Sequence, residues 1–198
     1  MLELRVDHFH PGAAHLLRLA PSLPLPRIIT VRHASEGGAA GSMSAARRKK
    51  LYLDFLPVAR FIDMELRWAG KMAGVIQAAK DSGIGVILSH HDFQRTPPLK
   101  KLQALAREAK RAGADIFKVA TLACTPHELA VLIDFLGMEQ ERLPISAMGM
   151  GAYGKISRLA LAQAGSCLNY GYLGSPNASG QWPVAILKAR IAELRPAS

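Results

Sequence analysis

Thr96-Pro97-Pro98 opens a stretch that runs to Gly113-Ala114-Asp115-Ile116-Phe117-Lys118-Val119-Ala120, and this stretch points to the architecture. The two prolines suit the first turn of a helix, where the backbone N–H has no partner to lose. Leu99, Leu102, Leu105, Ala106 and Ala109 then fall on one helical face. Gly113 is placed to end that helix. Asp115 leads into a short apolar run over residues 116–120, which has the length of a buried strand. A helix that hands over to such a strand is half of a βαβ unit.

The same rhythm recurs on both sides. Strands are expected at residues 2–6, 28–31, 61–66, 86–89, 116–120, 145–148 and 167–170, with amphipathic stretches between them. That predicts an α/β fold of the TIM (β/α)8 type, built as one domain over residues 1–198. Seven strands are recognisable where such a barrel has eight, and the chain opens directly on a strand. The barrel is therefore expected to lack its first strand, leaving residues 2–6 and 167–170 each short of a neighbour. An upstream segment or another subunit is expected to cover that edge.

The composition narrows the function. A hydrophobic fraction of 49% in 198 residues allows a sizeable core. No apolar run approaches the ~20 residues of a membrane span. The N-terminus alternates charged and apolar residues, unlike a signal peptide. Cys124 and Cys167 have no metal-type spacing, and two free thiols in the cytoplasm are expected. The net charge of +10 raises nucleic acid as a partner. Its densest run, Arg47-Arg48-Lys49-Lys50, lacks interleaved aromatics, so a solvated helix face is expected instead. A positive field would also draw in a small carboxylate.

Several residues could carry chemistry. Lys118 shares a strand face with Ile116 and Ala120, while Phe117 and Val119 face the other way. Either it is a desolvated amine, brought to roughly pKa 7–8 where it attacks a ketone, or it lies near a strand end and reaches water. His90-His91-Asp92 follows a strand, where barrel enzymes keep catalytic groups. A general acid–base, a metal site helped by His8 and His10, and plain surface histidines all remain open. Arg32 and Glu36, ahead of Gly37-Gly38, are either an ordinary charged loop or groups at a barrel mouth. Glu3 and Arg5 share one strand face, as a solvated pair or a polar layer. Met148 and Met150 suit core packing. Gly154 to Arg158 reads as a turn entering a helix that could hold an anion. Residues 174–181 form a lid or a polar connection.

Taken in order, these segments resemble the type I 3-dehydroquinate dehydratase family across nearly the whole chain. The resemblance rests on Glu3-Leu4-Arg5-Val6-Asp7, Arg32 to Gly38, Ser89-His90-His91-Asp92-Phe93 with Thr96-Pro97, Gly113 to Ala120, Met148 and Met150, Ile156-Ser157-Arg158, and Gly180-Gln181. It implies dehydration of 3-dehydroquinate to 3-dehydroshikimate, within aromatic amino-acid biosynthesis, through a Schiff base on Lys118. It further implies that His91 moves the proton and that Glu36 orients His91. Arg158 and Gln181 would hold the substrate carboxylate, with Asn177 standing where a serine is common. Glu3, Arg5 and Arg32 would contact the hydroxyls, and Met148, Met150 and Tyr170 would pack around the ring. Ser179 replaces the family's usual proline. The resemblance implies no metal, no diffusible cofactor, no nucleic acid or membrane partner, and a cytoplasmic homodimer. Two alternatives are another class I aldolase-like lysine-imine enzyme and an inactive truncated barrel that serves as a binding module.

Overall fold

The computed structural model describes residues 1–9, 11–38, 43–176 and 178–194. It divides into two compact units, residues 1–90 with 109–116 and residues 91–108 with 117–198. In the first unit lie β1 (Leu2–Arg5), α1 (Ala13–Leu19), β2 (Arg27–Thr30), α2 (Ala45–Phe55), β3 (Phe61–Glu65), α3 (Ala73–Asp81) and most of β4 (Gly85–Asp92). The strands are parallel and follow chain order, with Leu4 opposite Ile29, Ile29 opposite Ile62, and Ile62 opposite Val86. Alternation along β3 separates two chemistries. Ile62 and Met64 share one face, Asp63 and Glu65 the other, and all four are fully buried. Leu51, Phe55, Val75, Ile76 and Ala79 of α2 and α3 are buried with the apolar faces of the strands.

The second unit holds most of α4 (Leu99–Arg111) and β5 (Ile116–Leu122), then α5 (Pro126–Glu139), β6 (Ile145–Met150), α6 (Gly154–Gln163) and α7 (Val184–Glu193). β5 and β6 are parallel, from Phe117 opposite Ile145 to Leu122 opposite Met150. Leu102, Leu105 and Ala106 of α4 are buried, as their spacing requires. α5 starts with Pro126 in its first turn and a capping box. There Thr125 Oγ1 accepts the Glu128 N–H at 3.3 Å, and Glu128 Oε2 accepts the Thr125 N–H at 3.0 Å. The bond from the Cys124 N–H, more than any other, holds the Glu128 carboxyl below its ordinary pKa. Phe117 faces α5, edge-on to Phe135 with ring centroids 6.3 Å apart.

The succession of parallel strands and helices is that of a (β/α)8-type barrel. One expected strand is absent among the described residues. The stretch 167–170 is extended but forms no ladder, and the isolated bridge beyond it joins Tyr172 to Pro183. Pairing begins, since the Cys167 N–H donates to Ile145 O at 2.9 Å. Two serines then take over. Ser166 Oγ accepts the Ala147 N–H at 3.0 Å, and Ser146 Oγ donates to Leu168 O at 2.9 Å. Side-chain hydroxyls of this kind replace the ladder bonds that a strand would use. The other strands stand where expected, with β4, β5 and β6 each running two or three residues further.

The Phe117–Phe135 contact anchors α5 to β5. Phe135→Ala should cost about 3–5 kcal/mol, the usual cost of emptying a buried aromatic site. Urea unfolding checks this, and a loss under about 1 kcal/mol would show that the site collapses freely.

Candidate functional site

In the first unit, β2 leaves its ladder at Thr30, opposite Asp63. The next three residues still need partners for buried backbone groups, and side chains provide them. Tyr52 Oη accepts the Val31 N–H at 3.2 Å. Arg48 donates to Val31 O from Nε (3.1 Å) and Nη2 (2.9 Å). Asp7 Oδ1 accepts the Arg32 N–H at 3.1 Å, and Glu65 Oε1 accepts the His33 N–H at 2.5 Å. Arg48 Nη2 also bonds the second Glu65 oxygen, forming a wholly buried ion pair. Arg48 therefore does not belong to a solvated helix face. The turn of α2 that carries the basic run points Arg48 inward, where Glu65 neutralises it.

The Arg32 side chain lies among carboxylates. Its Nη2 is 2.9 Å from Asp63 Oδ2 and its Nη1 is 3.7 Å from Glu65 Oε1. Burial alone would lower its pKa, but the charges of Asp63, Glu65 and Glu3 outweigh that and raise it above its ordinary value. Burial pushes the Tyr52 hydroxyl up, with Glu65 adding to the shift. Glu3 Oε1 accepts from Thr30 Oγ1 at 2.7 Å. Arg5 grips Asp7 through two bonds, of 3.0 and 2.8 Å, and reaches Gly37 O at 3.0 Å. Glu36 is buried in a short 3-10 turn over Ala34–Glu36. Gly37 then takes a left-handed φ of 81°. At Gly38 a Cβ would fall 2.2 Å from Arg32 O, so the turn closes only with glycine there.

The second unit holds the lysine. Lys118 sits mid-strand in β5, 4% exposed, which removes the expectation of a lysine that reaches water. Its Nζ lies 4.1 Å from the centroid of the Tyr170 ring. Ala120, Met148 and Met150 form a buried cluster with Tyr170 and Ala178 packed against it. The His91 ring stacks on Phe93 with centroids 6.2 Å apart.

Arg158, on α6, is 2% exposed and bonds only backbone carbonyls. Nη1 donates to Gly149 O (2.9 Å), Gly154 O (2.8 Å) and Gly180 O (2.7 Å), and Nε to Tyr170 O (3.2 Å). Burial lowers its pKa to about 10, so it stays charged at neutral pH. Among the described residues no carboxylate pairs with it. Ser179 and Gly180 dock on the start of α6. Gly151 N–H donates to Ser179 Oγ at 3.0 Å, and a Cβ on Gly154 would fall 2.7 Å from Gly180 Cα. The Gln181 side-chain Oε1 accepts the Ala178 N–H at 3.4 Å.

Every expected site residue except Asn177 falls among the described residues; Asn177 lies outside them, as does His10. Glu3, Arg5, Arg32 and Glu36 lie in the first unit, and His91, Lys118, Met148, Met150, Arg158, Tyr170 and Gln181 in the second. Among the described residues, no three His, Cys, Asp or Glu side chains converge as metal ligands, and no helix is long and apolar enough to cross a membrane. Sequence reasoning missed Arg48, Asp63, Glu65 and Ser89. The signal was present in Phe61-Ile62-Asp63-Met64-Glu65, two acids on one face of an otherwise apolar strand.

Comparison with known proteins adds to this geometry. A family model described as type I 3-dehydroquinase matches residues 1–193. The chain is 34% identical to the 3-dehydroquinate dehydratase of Methanothermobacter thermautotrophicus over 99% of its own length and 86% of the relative's. It is 33% identical to the enzyme of that name from Aquifex aeolicus, over 93% of this chain and 83% of that one. The crystal structure of the Geobacillus kaustophilus 3-dehydroquinate dehydratase superposes with a TM-score of 0.92 at 27% identity, covering 100% of this chain and 81% of that one.

Glu65→Leu should cost about 3–5 kcal/mol, because it leaves Arg48 charged and buried. The double variant Arg48→Met with Glu65→Leu should recover part of that loss. Urea unfolding of the two single variants and the double variant tests this. Strictly additive losses would show that the two charges are not coupled.

Proposed function

We infer the chemistry from one premise: the chain belongs to the type I 3-dehydroquinase family. The reaction is dehydration of 3-dehydroquinate to 3-dehydroshikimate, a step of the shikimate pathway, and we propose that this chain performs it through an imine on Lys118. The observation that carries the proposal is the position of Tyr170. Its ring meets the Lys118 Nζ, and its carbonyl meets Arg158 Nε. An amine suited to a ketone and a cation suited to a carboxylate are thereby held by one residue.

The neutral Lys118 amine adds to the substrate ketone, and loss of water with uptake of one proton from solvent leaves a protonated imine. That imine draws electron density from the adjacent C–H bond, and His91 removes the proton to give an enamine. The enamine expels the hydroxyl group on the next carbon, with the proton returned from His91 so that water leaves. Hydrolysis of the conjugated imine frees the product and restores Lys118. The iminium cation formed on this nitrogen is stabilised by the face of the Tyr170 ring.

Arg158 keeps its full charge because carbonyls, not carboxylates, surround it, and it is assigned to the substrate carboxylate with Gln181 and Asn177. Nη2 is the nitrogen that can take the ligand without breaking the carbonyl bonds. Glu36 is assigned as the partner that orients His91. Glu3, Arg5 and Arg32 are assigned to the substrate hydroxyls, and Met148 and Met150 to its ring. A cytoplasmic homodimer completes the proposal, and sedimentation of the purified chain tests the stoichiometry.

Borohydride added during turnover should fix substrate covalently on Lys118, read by peptide mass spectrometry; labelling at Lys155 instead would sink the assignment. His91→Ala should still form the imine but turn over ~10²-fold more slowly or worse, while His90→Ala stays near wild type. Arg158→Lys retains a charge but loses the planar fork. It should raise KM for 3-dehydroquinate, and an unchanged KM would remove Arg158 from the carboxylate site.

A further inference from the structure

We propose that Asp63 and Ser89 are positioning residues for Arg32, fixing the direction in which its guanidinium is presented to the substrate; this rests on the dehydratase function above. Arg32 is a long side chain that would otherwise sample many rotamers. Here three bonds close a ring around its head. Nη2 meets Asp63 Oδ2 at 2.9 Å, Nη1 donates to Ser89 Oγ at 2.5 Å, and Ser89 Oγ donates to Asp63 Oδ1 at 2.7 Å. Asp63 and Ser89 are fully buried, and Arg32 is 5% exposed.

The ring has a definite sense. Ser89 has one hydroxyl proton, and its nearer and charged acceptor is Asp63, with Met64 O further off at 3.2 Å. The oxygen lone pairs are left to receive Arg32, so the hydroxyl joins a carboxylate to a guanidinium as donor to one and acceptor from the other. Asp63 and Ser89 come from adjacent strands, β3 and β4, two residues apart in register (Asp63 opposite Ile87, Ser89 opposite Glu65). The plane of the guanidinium is thus set by two strands other than its own.

The backbone of Arg32 is fixed by different groups. Asp7 holds its N–H, Arg48 the carbonyl before it, and Glu65 the N–H after it. Charge compensation alone would not call for this division. Glu65 is matched to Arg48 and Asp63 to Arg32, so the two pairs are already balanced. Ser89 adds no charge to that balance. Its hydroxyl sets an angle, and an angle matters where Arg32 must meet a ligand.

The test is steady-state kinetics of the full chain with 3-dehydroquinate, for wild type, Ser89→Ala, Ser89→Thr and Asp63→Asn, with thermal melting of each. Ser89→Ala should raise KM about tenfold, the scale of one charge-assisted hydrogen bond, and leave kcat within about threefold, the pattern of lost substrate binding. Ser89→Thr restores the hydroxyl and should return KM to within about threefold of wild type. Asp63→Asn should raise KM at least as much as Ser89→Ala; if it does not fold, the Ser89 pair decides. A Ser89→Ala enzyme with a lower melting temperature but unchanged KM would make the ring purely structural and overturn the proposal. A KM that rises equally in Ser89→Ala and Ser89→Thr would also overturn it. A wild-type chain without dehydratase activity would overturn the function first, and this proposal with it.

Discussion

Glu65 has no contact with water, yet two segments of the first unit converge on it. One oxygen takes the His33 N–H and lies near the Arg32 head, and the other takes Arg48 from α2. A lone buried carboxylate would be too costly to keep ionised, so Glu65 and Arg48 require each other. Together they do what a neighbouring strand would do for residues 31–33, because the β2 ladder stops at Thr30. Without them, the backbone that carries Arg32 and leads to the Glu36 turn would have unpaired groups in a dry interior. Burying such a pair seldom adds net stability over apolar side chains. What it adds here is a fixed backbone path across a place where no ladder is available.

The two units treat a buried arginine in opposite ways. Arg32 is ringed by carboxylates, and its charge is cancelled where it stands. Arg158 is ringed by the carbonyls of Gly149, Gly154, Tyr170 and Gly180, which orient it without neutralising it. Dipoles stabilise a cation less than a carboxylate does, and burial lowers the pKa of Arg158. A cation in this condition gains most from an incoming anion. Arg32 suits neutral hydroxyls for the same reason, since its demand for negative charge has already been met.

The strand–helix order was legible in the sequence because parallel strands buried on both faces leave short apolar runs between amphipathic ones. The stretch 167–170 was misleading: Cys-Leu-Asn-Tyr has strand-like residues, but Ser146 and Ser166 divert its backbone bonds, and nothing in the local pattern reports a hydroxyl on a different segment. Lys118 was legible as a charge within an apolar run. Asp63 and Glu65 carry the same signal and passed unnoticed, because acids on a strand are readily taken as a solvated face. Arg48 was hidden for a different reason. Three basic neighbours surround it in sequence, and only the phase of α2 against β2 and β3 distinguishes the one that turns inward.

Around residues 179–181, loop geometry and the proposed substrate binding share a residue. The Ser179 hydroxyl accepts the Gly151 N–H, an anchor that a proline side chain could not provide. Trp182 Nε1 reaches Lys155 O at 3.0 Å, and Gly154 and Gly180 approach so closely that neither tolerates a side chain. The remaining tie runs from Arg158 to Gly180 O, next to Gln181. Arg158 is therefore both the cation proposed to meet the substrate carboxylate and the donor of one of the bonds that hold the loop bearing Gln181. Drawing Nη1 toward a ligand would weaken the bond that positions Gln181, whereas engagement through Nη2 leaves it intact. The carbonyl cage thus favours an approach to Arg158 along one edge, and in the proposed role of Arg158 the loop and the ligand would take separate nitrogens of one guanidinium.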